Sequence, residues 1–402
     1  MTESKTVPVL FDDKKNCCAC GACVNACPKD AVAMKEDEQG FLYPAIDADK
    51  CIRCGKCQKV CAYQNIQETH EPLKTWVAVS RNDKVVMHSA SGGVFSSVAA
   101  AFINSNGYVC GAAFDDDFTL RHILTDDRKD LVKLRGSKYT QSSTDHVFRE
   151  IKEKLLSGEK VLFSGCPCQV AGLRAYLGKE YDNLFTMDLV CHGVPSNKMF
   201  RDYIGSFEKK HGIKVKKFLF RDKKLGWGKN GSLVTDSEEK YKLYESNVSY
   251  FYYFGYSLIM RENCYSCKYA NEHRPGDITI GDYWGIQKEH PEILIEDNID
   301  ESKGVSVIIA NTSKGIKLME KCRGLFHLYD SEFEKAAKRN PQLCVPTKYD
   351  QRRESLLDAY TEGGWEAVEA RFNSNIGLRR YSSHVKSLVP KKLKRIIKQH
   401  LK

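Results

Sequence analysis

Apolar positions follow two alternating periods from Thr75 onward. Thr75 to Ser80 and Tyr108 to Phe114 read as strands, Gly92 to Asn104 and Val147 to Leu156 are apolar on a helical period, and Lys160 to Ser164 is a short buried strand. Strands alternating with helices predict an α/β layer fold. Further on, Val215 to Arg221 is strand-like, Tyr250 to Met260 is an aromatic run, and Pro275 to Gly285 is punctuated by glycine. The pattern there does not define a topology. The last sixty or so residues read as helical, and Leu393, Ile396, Ile397 and Leu401 place apolar side chains on one face with lysines opposite.

Before Thr75 this rhythm is missing. Residues 1–65 form a small cysteine-rich unit, and Gln64 to Pro72 is a polar connector. The expected organisation is a cysteine-rich domain at 1–65, two parts of an α/β body at 72–180 and 181–345, and a helical tail at 346–402. A unit as small as the first cannot bury much surface, so metal clusters would have to be part of its core.

Composition narrows the class. The chain has 402 residues, 42% apolar and 28% charged, which suits a globular protein of two or three domains. No signal-like start and no run of roughly eighteen apolar residues is evident, so the expectation is a soluble cytoplasmic protein. The net charge of +10 would suggest nucleic acid, but Lys386, Lys391, Lys392, Lys394, Arg395, Lys398 and Lys402 supply seven of those charges in one tail. The body is nearly balanced, and no nucleic-acid partner is expected. The tail itself, with its apolar stripe, suits at most a weak contact with an anionic membrane surface.

Nine of the 17 cysteines lie between positions 17 and 61. In a long chain with no export signal such crowding favours metal over disulfides. Cys17, Cys20, Cys23 and Cys27, followed by Pro28, fit C-x2-C-x2-C-x3-C-P, and Cys51, Cys54, Cys57 and Cys61 repeat the spacing. Three thiolates at such gaps wrap three corners of a cubane, and the fourth in each run serves the other cluster. The expected sets are Cys17, Cys20 and Cys23 with Cys61, and Cys51, Cys54 and Cys57 with Cys27. Gly21 and Gly55 occupy matching places where backbone would approach the sulfides. Zinc knuckles are the competing reading, but zinc gives no reason for this spacing to occur twice in full. Cys18 is left over, beside the first cluster.

Five further cysteines sit at turn-like places: Cys166 and Cys168 in SGCPCQVAG, Cys191 in VCHGVPS, Cys264 and Cys267 in NCYSCKYA. Spacing alone leaves a third metal site and plain structural thiols equally open. With these go SASGGVFSSVA (Ser89 to Ala99), YVCGAAFD (Tyr108 to Asp115), LRGSKYTQS (Leu134 to Ser142), FSGCPCQVAGL (Phe163 to Leu173), LVCHGVPS (Leu189 to Ser196) and DITIGDYWGI (Asp277 to Ile286). Over nearly the whole chain these motifs resemble the coenzyme F420 hydrogenase/dehydrogenase beta-subunit family of iron–sulfur flavoproteins. The resemblance implies an overall α+β or α/β class: a bacterial-type dicluster ferredoxin domain followed by an α/β domain that binds flavin and iron–sulfur. Members bind FAD with a 4Fe-4S cluster close to it, and the best-known ones reduce a deazaflavin coenzyme. Carried onto this chain, it makes Cys168, Cys191, Cys264 and Cys267 the ligands of a third 4Fe-4S cluster. The family's usual form is G-T-P-C-Q, and Cys166 stands at the threonine place, which leaves Cys166 and Cys168 interchangeable in that role. Cys18, Cys110, Cys166, Cys322 and Cys344 remain as thiols.

For the flavin, Ser91, Gly92 and Gly93 would present backbone N–H groups at a helix N-terminus, where a pyrophosphate is held. Arg135, Ser137, Lys138 and Tyr139 add cations and donors for the same anion. A Ser-Gly-Gly segment is otherwise only a turn, and the resemblance alone raises it. His88 and His192 read as proton donors or as histidines bound within loops. Asp282, Tyr283 and Trp284 read as substrate-side wall or as core packing. No catalytic acid or base is singled out.

Clusters carry single electrons and a flavin collects two. A GxGxxG fingerprint is absent, so the expected donor is a ferredoxin or a redox partner subunit, not a nicotinamide. The expected function is an oxidoreductase passing electrons from a ferredoxin-type donor through 4Fe-4S clusters to FAD, which reduces a small two-electron acceptor. The alternative is a non-catalytic electron-transfer subunit of a larger redox complex, with coenzyme F420 as a candidate partner.

Overall fold

The computed structural model describes residues 6–296 and 299–377. The expected basic amphipathic end at 386–402 lies outside them. Among the described residues no helix is long and apolar enough to cross a membrane.

The cysteine-rich unit has little regular structure. Two short helices, Ala22–Ala26 and Lys56–Lys59, each start from a glycine in the left-handed region, Gly21 at φ 81° and Gly55 at φ 73°. A hairpin of β1 (Val32–Glu36) and β2 (Leu42–Ile46) joins them, with Val32 opposite Ile46 and Glu36 opposite Leu42.

The body is organised by an eight-stranded sheet made of β3 (Lys74–Ser80), β4 (Tyr108–Phe114), β5 (Leu120–Thr125), β6 (Val161–Gly165) and β7 (Leu184–Leu189) with three later strands. Between them, β8 (Val215–Leu219), β9 (Gly231–Thr235) and β10 (Lys240–Leu243) form a separate antiparallel sheet. The chain then returns through β11 (Ile278–Asp282), β12 (Ser306–Ala310) and β13 (Phe326–Ser331), giving the order β13-β3-β12-β11-β7-β6-β4-β5. Strands β4, β6, β7 and β11 run parallel at its centre. Every residue of β6 is buried, as expected where helices cover both faces. Helix Val94–Asn104 packs on one face through Val94, Val98 and Phe102. Helices Val147–Leu156 and Pro167–Leu177 cover the other through Phe148, Ile151 and Val170.

Four expected elements, at 75–80, 108–114, 147–156 and 160–164, correspond to strands and helices within a residue of their ends. The aromatic run became helix Ser249–Gly255, whose Tyr250 and Phe251 fill a core with Phe200, Phe218, Phe220 and Trp365 beside the small sheet. The glycine-punctuated stretch became β11, where Gly281 faces Val190 so closely that a Cβ would lie 2.7 Å from its side chain. The large sheet draws strands from both sides of residue 180, with Val161 of β6 opposite Leu184 of β7.

Across the polar connector the cysteine-rich unit packs directly on the body. Cys18, Cys20, Ala22, Ala62 and Tyr63 share one core with Phe148, Phe163, Val170 and Tyr269. Arg149 donates to the carbonyls of Val24, Asn25 and Cys27 at 3.1, 2.8 and 2.8 Å, and Thr144 Oγ1 donates to Cys20 O at 3.0 Å. So small a unit cannot bury enough surface alone, and it borrows a wall from the body.

Candidate functional site

In an open sheet with parallel strands, ligands gather beyond the strands' C-terminal ends. Strand β6 ends at Gly165, and Cys166 follows as the N-cap of helix Pro167–Leu177, its N–H held by Gln169 Oε1 at 3.0 Å. Strand β7 ends at Leu189, two residues before Cys191. Because β6 and β7 are neighbours, the Cys166 and Cys191 sulfurs lie 3.7 Å apart. The turn Glu262–Ser266 brings Cys264, with Cys267 as its C-cap. A cavity of about 50 Å³ is lined by Cys18, Cys166, Cys168, Cys191, Cys264 and Cys267.

The thiols in this cavity perturb one another. Cys191 is pulled down to about 7 by its hydrogen bond with Cys166, whose own thiol is pushed up by that bond and by burial. Burial, then Cys191 and Cys267, push Cys264 up. Cys168 hydrogen-bonds Cys18, which pulls it down, yet burial and the nearby thiols carry it to about 12. Cys18 in turn hydrogen-bonds Cys20. Cys166 therefore bonds Cys191 and senses Cys264 and Cys267, while Cys168 bonds Cys18 and senses Cys166, Cys267 and Cys191. Crowding several thiols in one pocket favours the thiolate at Cys191 and disfavours it at its neighbours, and a metal cluster that replaces their protons removes that conflict.

In the N-terminal unit, Cys17 senses Cys20 and Cys61, Cys23 senses Cys20, Cys17 and Cys61, and Cys57 senses Cys27 and Cys54. Cys20 and Cys57 are buried, Cys51 is half-buried, and Cys54 is exposed. Among the described residues no three His, Cys, Asp or Glu side chains converge on a single-ion position. Cys110 and Cys322 are buried in the core and Cys344 is exposed; none lines either cavity.

Beside the thiol pocket lies a larger cavity of about 350 Å³, within the usual size of ligand sites. Ser91, Gly93, Ser137, Lys138 and Tyr139 line it; Gly92 and Arg135 do not. Gly93, at φ 91°, opens helix Val94–Asn104, which has no side-chain cap. The expected free N–H of Gly92 instead donates to Ser306 Oγ at 2.8 Å, and a Cβ there would lie 2.4 Å from Ala78 O. Gly92 is thus a close-packing position between β3 and β12. The Ser91 hydroxyl donates to Val305 O at 2.8 Å. Arg135 offers its carbonyl to Lys138 Nζ at 3.2 Å and keeps its guanidinium out of the cavity wall.

Lys138 Nζ donates to Leu134 O at 2.9 Å, and its remaining accessible surface is cavity wall. Removal from bulk water pushes it down to about 7. Nothing in the sequence signals Arg221, whose side chain is only 4% exposed. It pairs with Asp282, donates through Nε to Gly228 O at 2.9 Å, and leaves Nη2 without a partner. Its guanidinium lies 5.3 Å over Trp284, which stacks on Trp227 at 4.5 Å. His122 Nε2 donates to Ser164 O at 3.1 Å, while Nδ1 has no partner; burial pushes its imidazole down to about 4, keeping it neutral. His192 lines the cavity, and burial and Lys229 push it down as well. Asp282 and Trp284 belong to the wall, whereas Tyr283 is core, its hydroxyl 2.8 Å from Ser331 Oγ. His88 bonds Lys84 O at 2.7 Å, away from the cavity.

The wall holds Lys138, Arg221 and Lys229 against the single carboxylate Asp282, with unpartnered N–H and ring nitrogen atoms facing inward. That donor set fits an anionic, partly aromatic ligand such as a flavin nucleotide. Cys166 and Cys191 line both cavities, so thiol pocket and ligand cavity share a wall.

Residues 16–65 match the family model for a 4Fe-4S dicluster domain, and residues 158–330 match that for the C terminus of the coenzyme F420 hydrogenase/dehydrogenase beta subunit. The chain is 26% identical over 167 residues to the F subunit of the F420H2 dehydrogenase of Methanosarcina mazei, covering 39% of this chain and 47% of that protein. It is 26% identical over 238 residues to the coenzyme F420-dependent sulfite reductase of Methanocaldococcus jannaschii, covering 53% of this chain and 36% of that protein. The match thus spans less than half the length of either relative. A chain of the F420-reducing NiFe hydrogenase complex from Methanosarcina barkeri superposes with a TM-score of 0.44 at 17% identity, covering 76% of this chain and 95% of that one. The chain thus carries a segment that matches a 4Fe-4S dicluster domain, followed by one that matches the C-terminal region of coenzyme F420 hydrogenase/dehydrogenase beta subunits.

Proposed function

We propose that the chain is an iron–sulfur flavoprotein oxidoreductase in which electrons from a ferredoxin-type donor reach a flavin held in the larger cavity, for delivery to a small two-electron acceptor. The observation that carries this reading is the wall shared by the two cavities at Cys166 and Cys191. The N-terminal cysteines hold two 4Fe-4S clusters in the crossed sets that their spacing dictates. Cys191, Cys264 and Cys267, with Cys166 in place of Cys168 as the fourth ligand, hold a third. Clusters and FAD, when bound, supply the exchange between single electrons and electron pairs.

The chain's own residues do the rest. Lys138, Arg221 and Lys229 hold the flavin's anionic groups; Ser137 and the start of helix Val94–Asn104 orient them. Trp284, stacked on Trp227 and clamped by Arg221, gives a flat apolar surface at the cavity wall. The donor side is the loop around the exposed Cys54, where Arg53, Lys56 and Lys59 are exposed and carry no partner among the described residues. Such a basic collar favours approach of an acidic electron carrier.

A second reading, an electron-transfer subunit within a larger assembly and using coenzyme F420, is favoured by the Methanosarcina mazei relative, which is itself named as one subunit of a dehydrogenase. Turnover separates the two. Protein isolated anaerobically should hold about twelve irons, four per cubane, and one flavin, and should reduce an acceptor with reduced ferredoxin as sole donor. Full cofactor content without turnover by the isolated chain would favour the subunit reading, and zinc in place of iron would overturn both.

A further inference from the structure

Among the described residues four arginines are nearly or fully enclosed, and three of them are accounted for. Arg274 pairs with Asp188 at 2.7 Å and donates to Tyr269 O at 2.9 Å. Arg221 pairs with Asp282, and Arg353 gives Nε and Nη2 to Met260 O at 3.2 and 3.0 Å. Arg261 is different. Its exposure is 0%, Nε donates to Cys17 O at 2.9 Å, and both terminal nitrogens, Nη1 and Nη2, have no partner. The face of Tyr43, 4.0 Å from the guanidinium carbon, is the one other electron-rich surface given to it.

A permanent cation buried without a counter-charge costs several kcal/mol in order of magnitude, far more than one cation–π contact returns. Something anionic is therefore missing from its surroundings, and the position says what. Through Nε the side chain is tied to Cys17, in the first cysteine run. Its own carbonyl takes the N–H of Cys264 at 3.0 Å, and its N–H is held by Val194 O at 2.8 Å, so it is also built into the turn that carries the third set of thiols. A cubane on four thiolates is net negative, and net charge and hydrogen bonds to sulfur are what set its potential.

We propose that Arg261 is the common counter-cation of two clusters, the first (Cys17, Cys20, Cys23 and Cys61) and the third (Cys191, Cys264 and Cys267 with their fourth thiol). It raises both reduction potentials together, so that both clusters accept an electron more readily. This rests on the cluster assignments proposed above. The step is a bare one-electron transfer: the donor cluster is oxidised, the acceptor cluster reduced, and no bond or proton moves.

Redox titration of the holoprotein followed by electron paramagnetic resonance tests it, using Arg261→Met and Arg261→Lys. Iron analysis of the wild type comes first: fewer than three clusters would defeat the assignments, not the arginine. With three clusters present, Arg261→Met should make the first and third harder to reduce by about tenfold in the one-electron equilibrium constant, ~59 mV. The cluster of Cys51, Cys54, Cys57 and Cys27 should not move, and Arg261→Lys, which keeps the charge, should retain most of the wild-type potential. Unchanged potentials in the methionine variant overturn the proposal. So do equal shifts in the lysine and methionine variants, which would reduce Arg261 to packing. Should the methionine variant fail to assemble its clusters, the lysine variant alone decides, a wild-type-like pair of potentials supporting the proposal and a full shift refuting it.

Discussion

Within the N-terminal unit eight candidate ligands sit on two short loops, and Cys54 reaches the surface. Downstream, candidate ligands are strung from Cys166 to Cys267 and meet at the ends of β6 and β7, half-buried beside a larger cavity. The first arrangement is local, so each loop carries its geometry in its spacing, and it stays near the surface where single electrons can enter. The second exists only when the large sheet is complete. A site assembled by tertiary structure places thiols against a second cavity, which a self-contained loop cannot do.

That contrast is open to attack. The largest effect expected is on cofactor content: Cys264→Ala should lose about four irons and also flavin, since the thiol pocket and the cavity share a wall. Cys54→Ala should lose about four irons and keep its flavin. Iron analysis and flavin absorbance check both, and a flavin-free Cys54→Ala protein would erase the distinction. Next comes the choice of ligand. Cys166→Ser should cost the third cluster, whereas Cys168→Ser should keep it, because Cys166 lies 3.7 Å from Cys191 and Cys168 turns to Cys18; the reverse pattern would restore Cys168.

Lys138→Met should weaken flavin retention by about tenfold, the size of one charge-assisted hydrogen bond. The same residue predicts a pH dependence. Its ammonium is pushed down to about 7. Below that pH the flavin-free fold carries the full cost of the buried charge. As pH rises from about 7 toward the ordinary lysine value, the unfolded chain binds the extra proton, so the wild type should gain stability relative to Lys138→Met. Denaturant melts at a series of pH values, compared between the two proteins, would show it; parallel curves would remove Lys138 from the cavity's charge balance. The smallest effect concerns the surface: replacing Arg53, Lys56 and Lys59 together with glutamine should slow reduction by ferredoxin a few-fold at low salt and leave the high-salt rate alone. Stopped-flow traces that ignore both salt and substitution would move the donor site elsewhere.

Much of the body was legible because period and burial are local properties: β4 and helix Val147–Leu156 begin and end where the pattern says. The motifs that line the larger cavity were legible only in part. Ser91, Gly93, Ser137, Lys138 and Tyr139 reach the cavity, but Gly92 spends its N–H on Ser306, more than two hundred positions away. Arg221 was invisible because it stands just past a strand of the other sheet, and nothing near it in the chain marks a ligand site.

By itself the sequence determined the two cysteine loops, since four thiolates at fixed short gaps dictate their own wrapping whatever surrounds them. It also determined β3, β4, β6 and β8 and the helices Val94–Asn104 and Val147–Leu156. Only the tertiary structure decided which of Cys166 and Cys168 faces Cys191, that the cysteine-rich unit is fused to the body through one core, and that Arg261 joins Cys17 to the turn of Cys264. Those outcomes depend on which strands lie side by side and on which surfaces are too small to stand in water alone, and neither is written at any single place in the chain.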